Sequence, residues 1–158
     1  MYRKVSDFLT DWSNGANGTA QVLEALTDET IDQAIVEGHS TLGWLGWHLA
    51  TTPAFFASTV GVKIELEVDP KTVPDQADTI SSTYQKVSEQ LQYQVEQQLT
   101  DEQLSEEVES FVGKTPRGAL LRTLIDHQTH HRGQMTVLLR QAGLSVPGVM
   151  GPTKENNA

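Results

Sequence analysis

Leu124-Ile125-Asp126-His127-Gln128-Thr129-His130-His131-Arg132-Gly133-Gln134 is the stretch on which the reading of this chain turns. It carries three of the five histidines. It shows no strand-like alternation, and the apolar residues around it recur every three or four positions, the period of a helix. At about 100° per residue, His131 falls about 40° from His127, and Leu120, Leu124 and Leu138 lie within about 60° on the same side. The pair therefore shares the apolar stripe. Side chains four apart on a helix bring their Cβ atoms to about 5–6 Å, so two imidazoles can converge on one ion. His130 sits about 100° from His131, towards the edge of the stripe, and Arg132 faces largely away.

Working outward, this helix is expected over residues 116–142. Thr115 is placed to cap it, Pro116 suits a first helical position, and Gly143 suits a left-handed terminator. Upstream, Ile80, Tyr84, Val87, Leu91 and Val95 recur at bundle spacing and predict a helix over 76–99. Residues 100–112 are acidic and read as a helical turn plus a loop. Trp44, Leu45, Trp47, His48, Leu49, Phe55 and Phe56 mark a helix over 41–59, capped by Ser40 and kinked at Pro53, which has no N–H to give. Val5, Phe8, Leu9, Trp12, Ala16, Leu23 and Leu26 mark a first helix over 6–26. Gly15 and Gly18 inside it signal a kink or a close helix contact. Thr27–Thr30 reads as a further helical turn without a full capping box. Residues 61–75 alternate briefly from Val62 to Val68, but a lone strand has no partner, so an extended connection is preferred. The tail from Ser145 reads as loose at its end.

Four helices and no convincing strand set give an all-α four-helix bundle, one domain over residues 1–158. The connection between the second and third helices is long for a bundle and reads as a crossover.

The second helix repeats the chemistry of the fourth. Thr41, Trp44, Leu45, Thr52 and Phe55 fall within about 60° of His48, which puts this imidazole on an inward stripe as well. Three histidines on inward stripes need either hydrogen-bond partners or a metal. Three imidazoles with an open fourth position are the donor set of a reactive zinc site. The alternative is a bundle whose core histidines are satisfied by neighbours. Gln128 stands where an H-E-x-x-H motif has glutamate, so the zinc-protease base is missing. Asp126 could orient an imidazole, although a solvated carboxylate is the simpler reading. Trp44, Trp47, Phe55 and Phe56 read as core or as a partner surface. His39 has no special claim.

Composition narrows the classes. The formal net charge is −10 and the lysines and arginines are dispersed, which disfavours nucleic acid. No apolar run is long enough for a membrane span and the N-terminus lacks a signal-peptide core, so a cytoplasmic protein is expected. There is no cysteine, which removes disulfides, thiolate ligands and a cysteine nucleophile. Any thiol in the chemistry has to come from a substrate.

His39–Ala50, H-S-T-L-G-W-L-G-W-H-L-A, together with Asp126–Gln134, D-H-Q-T-H-H-R-G-Q, resembles the DinB-like family of small bacterial helical bundles. The resemblance extends through Met135–Leu139 and Gly143. It implies a four-helix bundle that binds a divalent metal, zinc or nickel, through His48, His127 and His131, and it implies a homodimer. Some members are thiol transferases using bacillithiol, mycothiol or glutathione. The corresponding expectation is a metal-dependent S-transferase that activates a low-molecular-weight thiol, with catalytic residues beyond the ligands unassigned and Tyr84 a guess at a substrate donor. A metal-dependent hydrolase and a stress-related metal-binding bundle without activity are the alternatives.

Overall fold

A computed structural model describes residues 1–157 of the chain. It contains four long helices: α1 (Val5–Glu24), α2 (Leu42–Thr59), α3 (Ala77–Gln98) and α4 (Arg117–Gln141). Each lies within two residues of its expected bounds, the usual scatter of helix ends. The all-α bundle is therefore observed. Among the described residues, no helix is long and apolar enough to cross a membrane.

The starts differ in detail from expectation. Thr41, not Ser40, caps α2: its Oγ1 accepts from the Trp44 N–H at 3.0 Å. Pro116 is itself the residue before α4, with φ −60° and ψ 139°, and Thr115 is not a cap. Thr115 and Pro116 form a short strand, β2, antiparallel to β1 (Glu107–Val108), which lies in the segment expected to hold only a turn and a loop. The helical turn expected there is present as a 3₁₀ turn at Glu102–Ser105. At Thr27–Thr30 the reciprocal capping bond does form: the Thr27 N–H donates to Thr30 Oγ1 at 3.3 Å. Threonine does there what a glutamate does in the usual box. Gly143 adopts φ 75° and ends α4 as expected.

Two apolar clusters order the helices. The first contains Val5, Phe8 and Trp12 of α1, Phe56 and Ala57 of α2, Leu91 and Val95 of α3, and Leu120, Leu121 and Leu124 of α4. The second contains Val22 and Leu23, Leu42, Leu45 and Leu49, Ile80 and Tyr84, and Met135, Leu138 and Leu139. α1 and α4 run from the first cluster to the second, while α2 and α3 run the other way. α2 and α3 pack together in parallel, and α1 and α4 each pack on a neighbour of both senses. A parallel pair cannot be joined by a tight turn. Residues 60–76 therefore have to travel back along the bundle, and about 50 Å of extended chain covers the ~27 Å length of α2. The crossover expected from loop length is a consequence of this pairing.

Between the two clusters lies a polar layer. Pro53 has no N–H, so it leaves the carbonyl of Leu49, four residues back, without its helical partner. α2 nonetheless continues through Pro53 to Thr59. Gln128 Nε2, from α4, donates to that carbonyl at 3.1 Å. The Gln128 Oε1 accepts from the Tyr84 hydroxyl of α3 at 3.4 Å. Arg132 Nη1 donates to the Gly15 carbonyl at 2.8 Å and to Thr19 Oγ1 at 3.1 Å. The layer ties all four helices. Arg132, expected to face away, is only 5% exposed, and Gln128 only 3%.

The two glycines of α1 differ. The Gly15 carbonyl receives Arg132, a bond any residue could offer, and nothing in the structure requires glycine there. A Cβ on Gly18 would lie 2.2 Å from Val149 Cγ1, so Gly18 seats the C-terminal tail. That tail is anchored as far as Glu155: Val146 is buried and Arg140 Nε donates to Glu155 Oε1 at 2.7 Å. Ala158, at the end of that segment, lies outside the described residues.

Two glycine substitutions should move stability in opposite directions. A Cβ at Gly15 meets nothing within 4 Å. Gly15→Ala should therefore raise unfolding free energy by about 0.5–1 kcal/mol through helix propensity. A Cβ at Gly118 would lie 2.2 Å from the Tyr2 main-chain oxygen, which is held in place by the Tyr2 N–H bond to the Gly118 carbonyl at 3.0 Å. The clash outweighs the propensity gain, and Gly118→Ala should cost about 2 kcal/mol. Urea unfolding followed by circular dichroism measures both.

Candidate metal centre

α2 supplies His48, and α4 supplies His127 and His131 one turn apart. The structure brings all three together: one nitrogen from each lies within 4.8 Å of the other two. His48 Nε2 and His127 Nε2 are 2.9 Å apart. The His131 ring centroid is 4.8 Å from that of His48 and 4.4 Å from that of His127. Nitrogens sharing a tetrahedral ion at about 2.0–2.1 Å are separated by about 3.3 Å, so His48 and His127 stand within a few tenths of an ångström of a ligating separation, and the His131 nitrogen lies within 4.8 Å of both.

The outer nitrogens fix the tautomers. Thr52 Oγ1 donates its proton to the His48 carbonyl at 2.5 Å, so towards His48 Nδ1, 3.3 Å away, it can only accept. The proton of His48 therefore sits on Nδ1, and Nε2 offers a lone pair to the cluster. His131 Nδ1 donates to Gln134 Oε1 at 2.7 Å, which frees its Nε2 in the same way. This is how outer partners prepare imidazoles for metal. His127 Nδ1 is buried with no hydrogen-bond partner among the described residues. The donor set is all imidazole and neutral, which fits a divalent transition metal and not calcium or magnesium.

Electrostatics keep the set neutral. Burial lowers His127 from 6.5 to about 4, helped by the neighbouring His131, His48 and His130. Burial, then the charge of His131, lowers His48. Burial also lowers His131, against the opposing effect of its bond to Gln134. Lone pairs are available at neutral pH because protons bind these rings poorly.

The position on the stripe needs a correction. The fully buried line of α4 runs through Leu121, Leu124, Gln128, Arg132, Met135 and Leu139, and the three histidines are half-buried beside it. The neighbours of His48 on its own face confirm an edge: Trp44 is 42% exposed and Phe55 52%. The cluster therefore lines the seam between α2 and α4, with one side open. Trp44 stacks on His48 at 4.9 Å and 12°. Phe56 lies 6.0 Å from His127, and Phe111, from the loop between β1 and β2, packs on Phe55 and Phe56. One turn along the seam from His131, Ile35, Leu45, Val137 and Leu138 line a pocket of about 210 Å³ with His39, Ser40 and Gln134 at its edges.

Other residues fall away from the centre. His130 is exposed, and so is His39. Asp126 does not orient an imidazole, because Arg122 engages both of its oxygens, at 2.5 and 3.1 Å. Tyr84 is turned inward but cannot serve a substrate: it is buried in the polar layer, and burial pushes its hydroxyl up to about 12. Trp47 is core, donating Nε1–H to the Asp69 carbonyl at 3.2 Å, and offers no exposed face. Thr52, Gln134 and Gln128 were missed from sequence. The signal for the first two was their spacing, four after His48 and three after His131.

Known proteins share the family and the fold of this chain. Residues 1–158 match the model of the DinB family. YrdA of Bacillus subtilis (strain 168), itself uncharacterized, is 39% identical over 156 residues, 98% of this chain and 93% of YrdA. The crystal structure of a DinB-like protein from Bacillus cereus ATCC 10987 superposes with a TM-score of 0.88 at 42% identity, covering 94% of this chain and 99% of that one. A DinB-like protein from Bacillus subtilis, YjoA, shares the fold with a TM-score of 0.71 at 21% identity, over 92% of this chain and 99% of its own.

The lowered imidazole values make stability depend on pH in a definite direction. Between about 4 and 6.5 the unfolded chain binds protons that folded His127 does not. The cost is absent above 6.5, grows as pH falls through this window, and is complete below about 4. In chelator, the urea midpoint should fall as pH is lowered from 7.5 to 5, and His127→Leu should flatten the slope. A parallel slope in both proteins would refute a neutral buried His127.

Proposed function

The chain belongs to the DinB family, and from that premise we propose that it is a metal-dependent S-transferase: it holds a divalent ion, zinc or nickel, on Nε2 of His48, His127 and His131 and activates a low-molecular-weight thiol there. The observation that carries the proposal is the convergence of three imidazoles, two of which, His48 and His131, have their outer nitrogens committed to Thr52 and Gln134. A bound ion supplies Lewis acidity that favours the deprotonated, nucleophilic form of a thiol.

The protein's own residues do the rest. Thr52 and Gln134 hold two ligand rings in orientation. Trp44 and Phe56 flank the cluster and shield it from water on two sides. The open side of the seam admits a small molecule, and the pocket beside Leu45 and Val137 can take an apolar part of it. No cysteine of the chain competes with a substrate thiol. A metal-dependent hydrolase fits less well. Among the described residues the histidine triad is the one group of three or more ligand-type side chains, and it contains no carboxylate to act as base. A metal-binding bundle without activity differs in one respect, a closed coordination shell. The reading includes a homodimer, which sedimentation at micromolar concentration should show.

Protein purified without an affinity tag and dialysed against zinc should bind one ion per chain. Alanine at His48, His127 or His131 should abolish stoichiometric binding while the helical content remains. Cobalt-substituted protein should gain a near-ultraviolet sulfur-to-metal band on addition of glutathione. Metal binding without that band for glutathione, bacillithiol and mycothiol alike would remove the thiol reading.

A further inference from the structure

Gln128 and Leu49 are the sequence neighbours of His127 and His48. Their hydrogen bond is a direct tie between α2 and α4 at the level where the two ligand rings meet, 2.9 Å apart. The tie exists because of Pro53. In an uninterrupted helix the N–H of residue 53 would take the Leu49 carbonyl, and no donor from another helix would be required. The orientation of the Gln128 amide is also determined. Tyr84 donates a hydroxyl proton to its Oε1, so Nε2 must face the carbonyl; a reversed amide would set two oxygens against each other. Tyr84 is in turn fully buried, and Gln128 nearly so, so neither can relax towards water.

We propose that Gln128 is a positioning residue for the histidine cluster: by taking the carbonyl that Pro53 leaves unpaired, it fixes α2 against α4 so that His48 and His127 meet at ligating distance. Gln128 touches neither ring through a hydrogen bond. It acts through the backbone of the residue next to His48. The inference rests on the metal reading only where metal affinity is measured. The relation between the two rings is a property of the metal-free protein.

The test separates positioning from mere stability by using Pro53. Gln128→Leu leaves the buried Leu49 carbonyl unpaired, takes from the Tyr84 hydroxyl its Gln128 acceptor, and should unfold at lower urea than wild type. Pro53→Ala returns an N–H to the Leu49 carbonyl from within α2. In the double variant Gln128→Leu/Pro53→Ala the urea midpoint should therefore recover the part of the loss that comes from the Leu49 carbonyl, although the tie between helices is still gone. Nuclear Overhauser contacts between the His48 and His127 ring protons, recorded in chelator, should be strong in wild type and in Pro53→Ala. They should be weak or absent in the double variant despite its recovered stability. Zinc affinity, measured by competition with a chromophoric chelator, should likewise stay about tenfold or more below wild type in the double variant. Ring contacts as strong as in wild type in the stable double variant would overturn the proposal. So would a stability loss from Gln128→Leu that Pro53→Ala does not relieve. If wild-type protein binds no zinc, the metal reading fails, while the ring contacts and the urea comparison still decide the role of Gln128.

Discussion

One hydrogen bond, from Gln128 to the Leu49 carbonyl, carries a large share of what distinguishes this bundle. A proline inside a helix costs about 3 kcal/mol, in part because it strands a carbonyl. Left buried and unpaired, that carbonyl would cost a further ~1–3 kcal/mol. Here it becomes an acceptor for a neighbouring helix. Around it the buried polar groups pair in turn: the Gln128 oxygen with Tyr84, Arg132 with Gly15 and Thr19. The layer splits the apolar interior into two clusters, and its hydrogen bonds demand one axial register of the four helices where a continuous apolar interface would tolerate several. Register is what the histidine cluster needs. Its members come from two helices and must agree to within a few tenths of an ångström.

The site balances two opposed requirements. Imidazoles bind metal as neutral bases, and burial is what keeps them neutral: His127 is lowered from 6.5 to about 4. Full burial would close the fourth position. The cluster therefore occupies the border of the buried line, backed by the core and open along the α2–α4 seam. The outer hydrogen bonds complete the arrangement. Thr52 and Gln134 accept protons at Nδ1, and this leaves Nε2 of His48 and His131 as lone pairs even before any ion arrives. The acidity of the whole chain, −10 in formal charge, has no part in this. The donor set contains no carboxylate.

Helix period alone located most of the fold and the three members of the cluster. The stripe of Ile80, Tyr84, Val87, Leu91 and Val95 is the buried line of α3, and the spacing of His127 and His131 does bring both to His48. What the period could not give was the phase of the stripe. Leucines alone place the histidines at its centre, with Arg132 facing away. The true centre of α4 passes through Gln128 and Arg132. Both are buried only because partners on other helices satisfy them, and such partners are invisible along a single segment. Tyr84 was misread for the same reason: its inward position was foreseen, but not that Gln128 would engage it. The strands β1 and β2 were missed because two residues each leave no period to detect.

Pro53 shows how a local defect can specify tertiary structure. Read along the sequence, it predicts only a kink. Its larger effect is felt four residues earlier and on another helix, where it leaves the Leu49 carbonyl as an acceptor that its own helix does not take. The acceptor lies next to His48, its donor next to His127. A change at position 53 therefore reaches the ligand rings without touching them, through one carbonyl and one amide. Since α2 and α3 run parallel, α2 is held at its far end by the crossover 60–76 and by Arg117, whose Nε donates to the Val60 carbonyl at 2.9 Å. That contact also joins α2 to α4. The two helices that carry the ligands are thus pinned to each other twice, at the end of α2 and beside the ligands. Between these points lies most of one helical face, carrying Phe56 against the cluster. A seam pinned at both places can stay open to solvent on one side without letting its histidines drift apart.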